Sequence, residues 1–375
     1  MQTQSRDERH ERNESRDERH GRNESTPTCE LAQLRAFADV ILAEAYHPGL
    51  LRQTLHQFEA WLVALSELPI DSESCRENID SENGMALGPT WAAMCIEDIA
   101  RTHCFVRGTH QAILACLSAN ANRPVHLLYA GCGPFATLVL PLLAHFSEQQ
   151  LRLTLVDINP ISIQCVQRLF ARLNLQAYVE ELLLADAVSM KIPKPDAIDI
   201  VLSETMQRAL KNECQVQIMC NLIPQLRQKV LMLPERIILT LAQKDFSKPL
   251  AESSEIRPME SLGTLFELSA ATIRKSTARE ENGVLMLSSD AMTVTLAHAN
   301  IDLYVLTSIY VFGDAQLQLN ASGLTTPERI QLPPDLRCTH ADHEPAGFPV
   351  HCRVRYVIDP IARVAVSFER TRAMS

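Results

Sequence analysis

The chain lacks any apolar run long enough to span a bilayer; stretches such as residues 237–242 and 303–312 fall well short of the roughly 20 residues a membrane helix needs. The amino terminus has no apolar segment of the kind a signal peptide carries, so a cytoplasmic location is expected. Ordered cysteine spacing is also missing. There are 11 cysteines, an odd number, with no Cys-x-x-Cys pair, which fits reduced thiols in a core better than a disulfide framework. Nor is there an excess of positive charge. With 35 Lys+Arg against 45 Asp+Glu the formal net charge is −10, which argues against a broad nucleic-acid footprint and suits cationic or small neutral substrates. What is present is ordinary for a soluble globular protein, 46% hydrophobic and 21% charged residues, and 375 residues suggest two or three domains.

The first 28 residues hold a ten-residue repeat, SRDERHERNE then SRDERHGRNE, with nothing to bury. Such a segment reads as a solvated tail, dispensable for folding. Residues 29–120 are helical in pattern: Leu31, Leu34, Phe37, Ala38 and Ile41 recur at three and four positions, as do Leu51, Leu55, Phe58 and Leu62. The polar stretch 71–84 reads as a loop. From 121 to 242, apolar runs of strand length (125–130, 151–157, 179–186, 197–204 and 236–241) alternate with amphipathic helices, which predicts a doubly wound parallel sheet. From 243 to 375 the period becomes that of strands (285–287, 292–297, 303–312, 315–319, 351–358 and 363–368), which predicts an antiparallel, barrel-like β domain. Leu233-Pro-Glu-Arg is the expected hand-over. The fold class is therefore α/β, a Rossmann-like sheet preceded by helices and followed by a β domain.

Residues 127–138, LLYAGCGPFATL, form a strand, a glycine turn and a helix start. Gly131 and Gly133 permit a sharp turn and close approach of a ligand. Asp157 closes the next strand, where a carboxylate can accept both hydroxyls of an adenosine ribose, and Asp186 follows the third, near where an adenine amino group would lie. Pro134 and the missing third glycine remove the usual pyrophosphate cradle. S-adenosylmethionine has no phosphate and needs no such cradle. After the fourth run comes SETMQRALKNE, residues 203–213, which sets Glu204 and Glu213 nine positions apart on one rim, able to grip a planar cation bidentately.

The glycine block resembles class I S-adenosylmethionine-dependent methyltransferases, with Tyr129 where the common pattern has an acid. The spacing Ser-Glu-x-Met-(x)6-Glu is similar to the "double-E" loop of protein arginine methyltransferases. Residues 97–105, EDIARTHCF, are similar to that family's Asp-x-x-Arg-Thr-x-x-Tyr helix, and LMLPERIILTL and the segment 306–330 resemble its link and a hairpin of its barrel. The likeness runs from about 97 to 368. It implies methyl transfer, with Arg101 on the cofactor's carboxylate and Glu204 and Glu213 on the acceptor, a protein arginine or a guanidine-bearing molecule. The family's lid tyrosines are absent from residues 82–91, and its Thr-His-Trp loop is absent too, since Thr339-His340 is followed by Ala341.

Those absences favour a second reading, a small-molecule N- or O-methyltransferase of specialised metabolism; a catalytically inactive cofactor-binding scaffold is the third. Cys338, His340, His343, His351 and Cys352 cluster without a zinc-ligand spacing, so no metal is expected. Partners are expected to be the methyl acceptor and a second copy of the chain, with no nucleic acid and no membrane.

Overall fold

The computed structural model describes residues 27–119, 122–248, 257–276, 279–281, 284–333 and 349–370. The charged repeat, and Cys338, His340 and His343, lie outside these. The helical region begins one step earlier than its pattern suggested, with α1 (Pro27–Ile41). It continues through α2 (Pro48–Ser66), the short α3 (Glu73–Arg76), a hairpin of β1 (Ile79–Ser81) and β2 (Gly84–Ala86), α4 (Pro89–Met94) and the long α5 (Ile99–Ala119). On α2 the predicted residues Leu51, Leu55, Phe58 and Leu62 are all buried. The expected loop over 71–84 is instead α3 and the first strand of the hairpin. Asn83-Gly84 was the available signal, because Gly84 has φ +135 and a Cβ there would meet the Asn212 carbonyl at 2.4 Å.

Next comes an open parallel sheet formed by β3 (Val125–Ala130), β4 (Leu151–Asp157), β5 (Val179–Leu184), β6 (Ile200–Ser203) and β7 (Leu231–Leu233). Helix α6 (Pro160–Arg172) joins β4 to β5, and α7 (Gln215–Leu222) joins β6 to β7. Asn159 starts α6 by accepting the Ile161 N–H, ahead of Pro160. The strand order is β5-β4-β3-β6-β7, all parallel. Every residue of the central strand β3 is buried, as a strand covered on both faces requires. The order reverses between β3 and β6, and a crevice opens outside their carboxyl ends.

The strand expected over 236–241 does not belong to this sheet. It is the start of β8 (Arg236–Asp245), which pairs antiparallel with β9 (Glu260–Ser269) and with β13 (Ile301–Phe312). The fifth parallel strand is the three-residue β7, too short to stand out as a period. Among the described residues, β8, β9, β13, β14 (Ala315–Leu317) and β15 (Glu328–Arg329) form one antiparallel sheet, and α8 (Ala270–Lys275) follows β9. A second sheet joins β10 (Arg279–Glu281), β11 (Val284–Ser288), β12 (Met292–Leu296), β16 (Val350–Ile358) and β17 (Ala362–Arg370). The sheets meet where Phe266 of β9 stacks on Tyr356 of β16, with ring centroids 4.4 Å apart. No described helix is long and apolar enough to cross a membrane.

Tyr356 is fully buried, and its hydroxyl donates to the Leu210 carbonyl at 2.8 Å, tying the β domain to the loop that follows β6. Tyr356→Phe keeps the stacked ring and leaves that carbonyl unpaired. We expect a loss of about 1–3 kcal/mol in urea unfolding, whereas unchanged stability would mean that water satisfies the carbonyl.

Candidate functional site

A cavity of about 660 Å³ lies at the switch point, within the usual range for small-molecule sites. All seven residues singled out in the sequence line it: Arg101, Gly131, Gly133, Asp157, Asp186, Glu204 and Glu213. Its floor is the turn after β3. Gly131 and Gly133 have φ +73 and +64, and a Cβ on Gly131 would meet Thr205 Cγ2 at 2.4 Å, so this turn needs glycine there for both conformation and space. The Gly131 and Cys132 N–H groups donate to the Val156 carbonyl.

Asp157 ends β4 beside this turn and is buried. One carboxylate oxygen accepts the Gly133 N–H and the other the Asn159 N–H, each at 2.8 Å. Burial pushes its carboxyl up to about 6, even though both backbone hydrogen bonds pull the other way. Helix capping is left to Asn159. Asp186, half-buried two residues past β5, accepts the Val188 N–H at 2.9 Å.

Arg101 stands in the first turn of α5, which Asp98 caps by accepting the Arg101 N–H at 3.1 Å. The second oxygen of Asp98 accepts the Ser322 hydroxyl at 2.6 Å and the Gly323 N–H at 3.0 Å. One carboxylate thus joins the helix to the turn Gly323–Thr325, whose Gly323 and Leu324 face the cavity. The sequence reading missed this function of Asp98, although its place three residues before Arg101 was visible.

The Arg101 guanidinium makes an ion pair with Oε2 of Glu204, and both side chains are shielded from water. Glu204 Oε1 is buried without a hydrogen-bond partner among the described residues. Glu213 is also buried, and its carboxyl is raised above the usual carboxylate range, chiefly by burial; the Arg101 charge and a Gln207 hydrogen bond partly offset this. The segment between the two glutamates holds three non-glycine residues of left-handed backbone, Ala209, Leu210 and Asn212, with φ between +50 and +64. Such residues cost of order 1 kcal/mol each and persist where the surroundings over-determine them.

Here the surroundings are identifiable. The Ala209 N–H donates to Thr307 of β13 at 2.9 Å, Leu210 receives Tyr356, and the Asn212 N–H donates to the Ala362 carbonyl at the start of β17. From the other side, the Met85 N–H of the hairpin donates to the Asn212 carbonyl at 3.0 Å, and Gln217 donates to the Asn83 carbonyl at 2.7 Å. Gln215, buried and without any signal in the sequence, accepts from the Thr205 N–H and hydroxyl and donates to the Ser203 carbonyl, which fixes Glu204 from behind. Arg208 and Lys211, also on the cavity wall, both pair with Glu328 of β15 and hold its carboxyl below the usual range against the effect of burial.

The arrangement defines a class: an open α/β sheet with a ligand crevice at its switch point, one buried carboxylate beside a glycine turn and two more across the cavity. No protein-family model matches the chain, and no curated protein matches it. Solved structures do. The PRMT1 enzyme–prozyme heterotetrameric complex of Trypanosoma brucei with AdoHcy is 12% identical over 74% of this chain and 96% of its own, with a TM-score of 0.41. A PRMT6 structure is 12% identical over 70% and 95%, TM-score 0.45. A PRMT6–SAH structure is 11% identical over 74% and 98%, TM-score 0.48.

A buried ion pair whose partners come from different segments should betray itself energetically. Arg101→Met leaves Glu204 charged and unpaired, and we expect it to lower the unfolding free energy by about 3–5 kcal/mol. Arg101→Met with Glu204→Leu should cost clearly less than the sum of the two single changes. Strict additivity in urea denaturation would show that the two side chains are not coupled.

Proposed function

We propose that this chain is an S-adenosylmethionine-dependent methyltransferase whose acceptor is a nitrogen of a cationic, guanidine-bearing molecule or protein arginine. The observation that carries the reading is Glu204 Oε1, a buried carboxylate oxygen with no donor, in the same cavity as the glycine turn, Asp157 and Glu213. An unpartnered buried acceptor costs about 1–3 kcal/mol, which a ligand N–H would relieve.

The residues fit the cofactor. At Gly133 the turn leaves room where a side chain would stand, with Ala92 Cβ 3.7 Å from that position, Asp157 retains lone pairs for a ribose diol, and Asp186 lies on the same cavity wall for the adenine. Arg101 is the cation for the cofactor's carboxylate, and its hold on Glu204 keeps the guanidinium turned into the cavity. S-adenosylmethionine, when bound, supplies an electrophilic methyl group on a sulfonium.

This chain's work is to place the acceptor in line and to exclude water. Glu204 and Glu213 face one guanidinium: Glu204 already shares its charge with Arg101, so the site as a whole matches one incoming positive charge. Two carboxylates localise charge on two nitrogens and leave the third more nucleophilic. Burial gives Glu213 a higher proton affinity than an ordinary carboxylate, which suits it to take the proton that the methylated nitrogen releases.

A second reading, a small-molecule N- or O-methyltransferase, is favoured by Arg208 and Lys211 on the cavity wall, which disfavour an arginine-rich peptide track. The two readings divide on the acceptor panel. Glu213→Gln should bind cofactor normally, Glu204→Gln should bind it at most about tenfold more weakly because its amide oxygen can still accept from Arg101, and each should lose about 100-fold or more in turnover, as groups that act on the transition state do. Retention of near-parental rates by both would remove the carboxylate pair from the chemistry, and dependence on Glu204 alone would favour an amine or hydroxyl acceptor.

The cofactor site has its own test in pH. The Asp157 carboxyl titrates at about 6 in the folded chain, above its ordinary value of 3.8, so it is largely protonated at pH 5 and ionised at pH 8. A ribose diol donates to the ionised form. Cofactor affinity measured by calorimetry should therefore rise from pH 5 to pH 7 and level off, and Asp157→Asn should flatten that rise and bind at least about tenfold more weakly. A parental affinity in the folded variant would remove Asp157 from the site.

A further inference from the structure

Beside the turn Cys95–Glu97, whose Cys95 and Ile96 line the cavity, a second group of polar side chains converges. His56 and Glu59 stand three residues apart on α2 and so share a face, and Glu97 ends the turn that leads into α5. A nitrogen of His56 and an oxygen from each carboxylate all lie within 4.8 Å of one another. Glu59 is only 8% exposed, and among the described residues its carboxylate accepts no hydrogen bond and pairs with no Lys or Arg; burial and the neighbouring Glu97 raise its carboxyl, and His56 partly offsets this. Two carboxylates, one of them on a buried residue, share a single imidazole, which leaves the group short of positive charge.

We propose that His56, Glu59 and Glu97 hold a divalent transition-metal ion, with zinc as the ion that one imidazole and two carboxylates suit, leaving a fourth position to water. Zinc ligands stand about 2.0–2.2 Å from the ion, so the three atoms need close by no more than about 1.5 Å. His56 and Glu97 are exposed and free to make that movement, while Glu59 is fixed by its burial. The ion would bolt α2 to the turn whose Cys95 and Ile96 line the cavity and which runs directly into Asp98 and Arg101. The site is thus a structural clamp behind the cofactor crevice, and it stands whether or not the methyltransferase reading does.

The test uses the full chain, freed of metal by a chelator. Zinc binding is followed by equilibrium dialysis with metal analysis and by the thermal midpoint, and cobalt serves as a spectroscopic substitute. We expect zinc to raise the midpoint, and the tightest cobalt ion to show visible ligand-field bands without the near-ultraviolet band of thiolate coordination. His56→Ala and Glu97→Gln change exposed side chains and should fold, yet each should bind zinc at least about tenfold more weakly and lose the midpoint shift. Unchanged zinc affinity in both variants, or a thiolate band on the tightest cobalt ion, would overturn the proposal by placing the metal on cysteines or elsewhere. Tighter binding of calcium or magnesium than of zinc at these residues would overturn the choice of ion.

Discussion

The loop from Glu204 to Glu213 has to be held in a conformation that its residues do not favour, and three parts of the chain are shaped around that need. Three left-handed residues and two buried carboxylates fall within ten positions. No local preference supports such a segment. It persists because β13, β16 and β17 bond its backbone from one side, the hairpin of Ile79–Ala86 bonds it from another, and Gln215 pins its start. The antiparallel domain therefore does more than extend the core: it is the buttress for the cavity rim presented by the parallel sheet.

The electrostatics of the cavity follow from burial. Asp157 and Glu213 are both pushed toward their protonated forms, while Arg101 opposes this at the carboxylate pair by standing against Glu204. A lone buried carboxylate would neutralise itself by taking a proton. Pairing Glu204 with Arg101 offers a way to keep a charged acceptor oxygen in a dry cavity, and the second oxygen of Glu204 stays open for a ligand. The geometry of such a cavity is sensitive to small displacements, which gives physical sense to the network of Asp98, Ser322 and Gly323 that ties the Arg101 helix to the β domain.

Much of the fold was legible because its signals are local. Strand runs at 125–130 and 151–157 coincide with β3 and β4, and the glycine turn between them announced itself through residues that only a left-handed backbone requires. Where the reading failed, the signal was short or polar. The fifth parallel strand has three residues and was hidden by the longer apolar run of β8 beside it, and the hairpin of residues 79–86 was concealed in a polar stretch whose Asn83-Gly84 was its single marker. Gln215 and Ser322 carry no pattern at all; glutamines and serines of equal appearance occur throughout the chain.

What the sequence determined by itself is the order of strand, turn and carboxylate from residue 125 to 204, because connectivity and backbone sterics place Gly131, Gly133, Asp157, Asp186 and Glu204 at successive carboxyl ends of one sheet. Only the tertiary structure decided that Arg101 meets Glu204, that one oxygen of Glu204 is buried without a partner, and that Glu97 comes to rest beside His56 and Glu59. Each of these joins segments tens of residues apart through side chains whose identity is common on any surface. Packing of α5 against β3 and β6, and of α2 against α6 and the turn Cys95–Glu97, brings them together, and a polar residue's chemistry depends on its neighbours and on how much water is left around it.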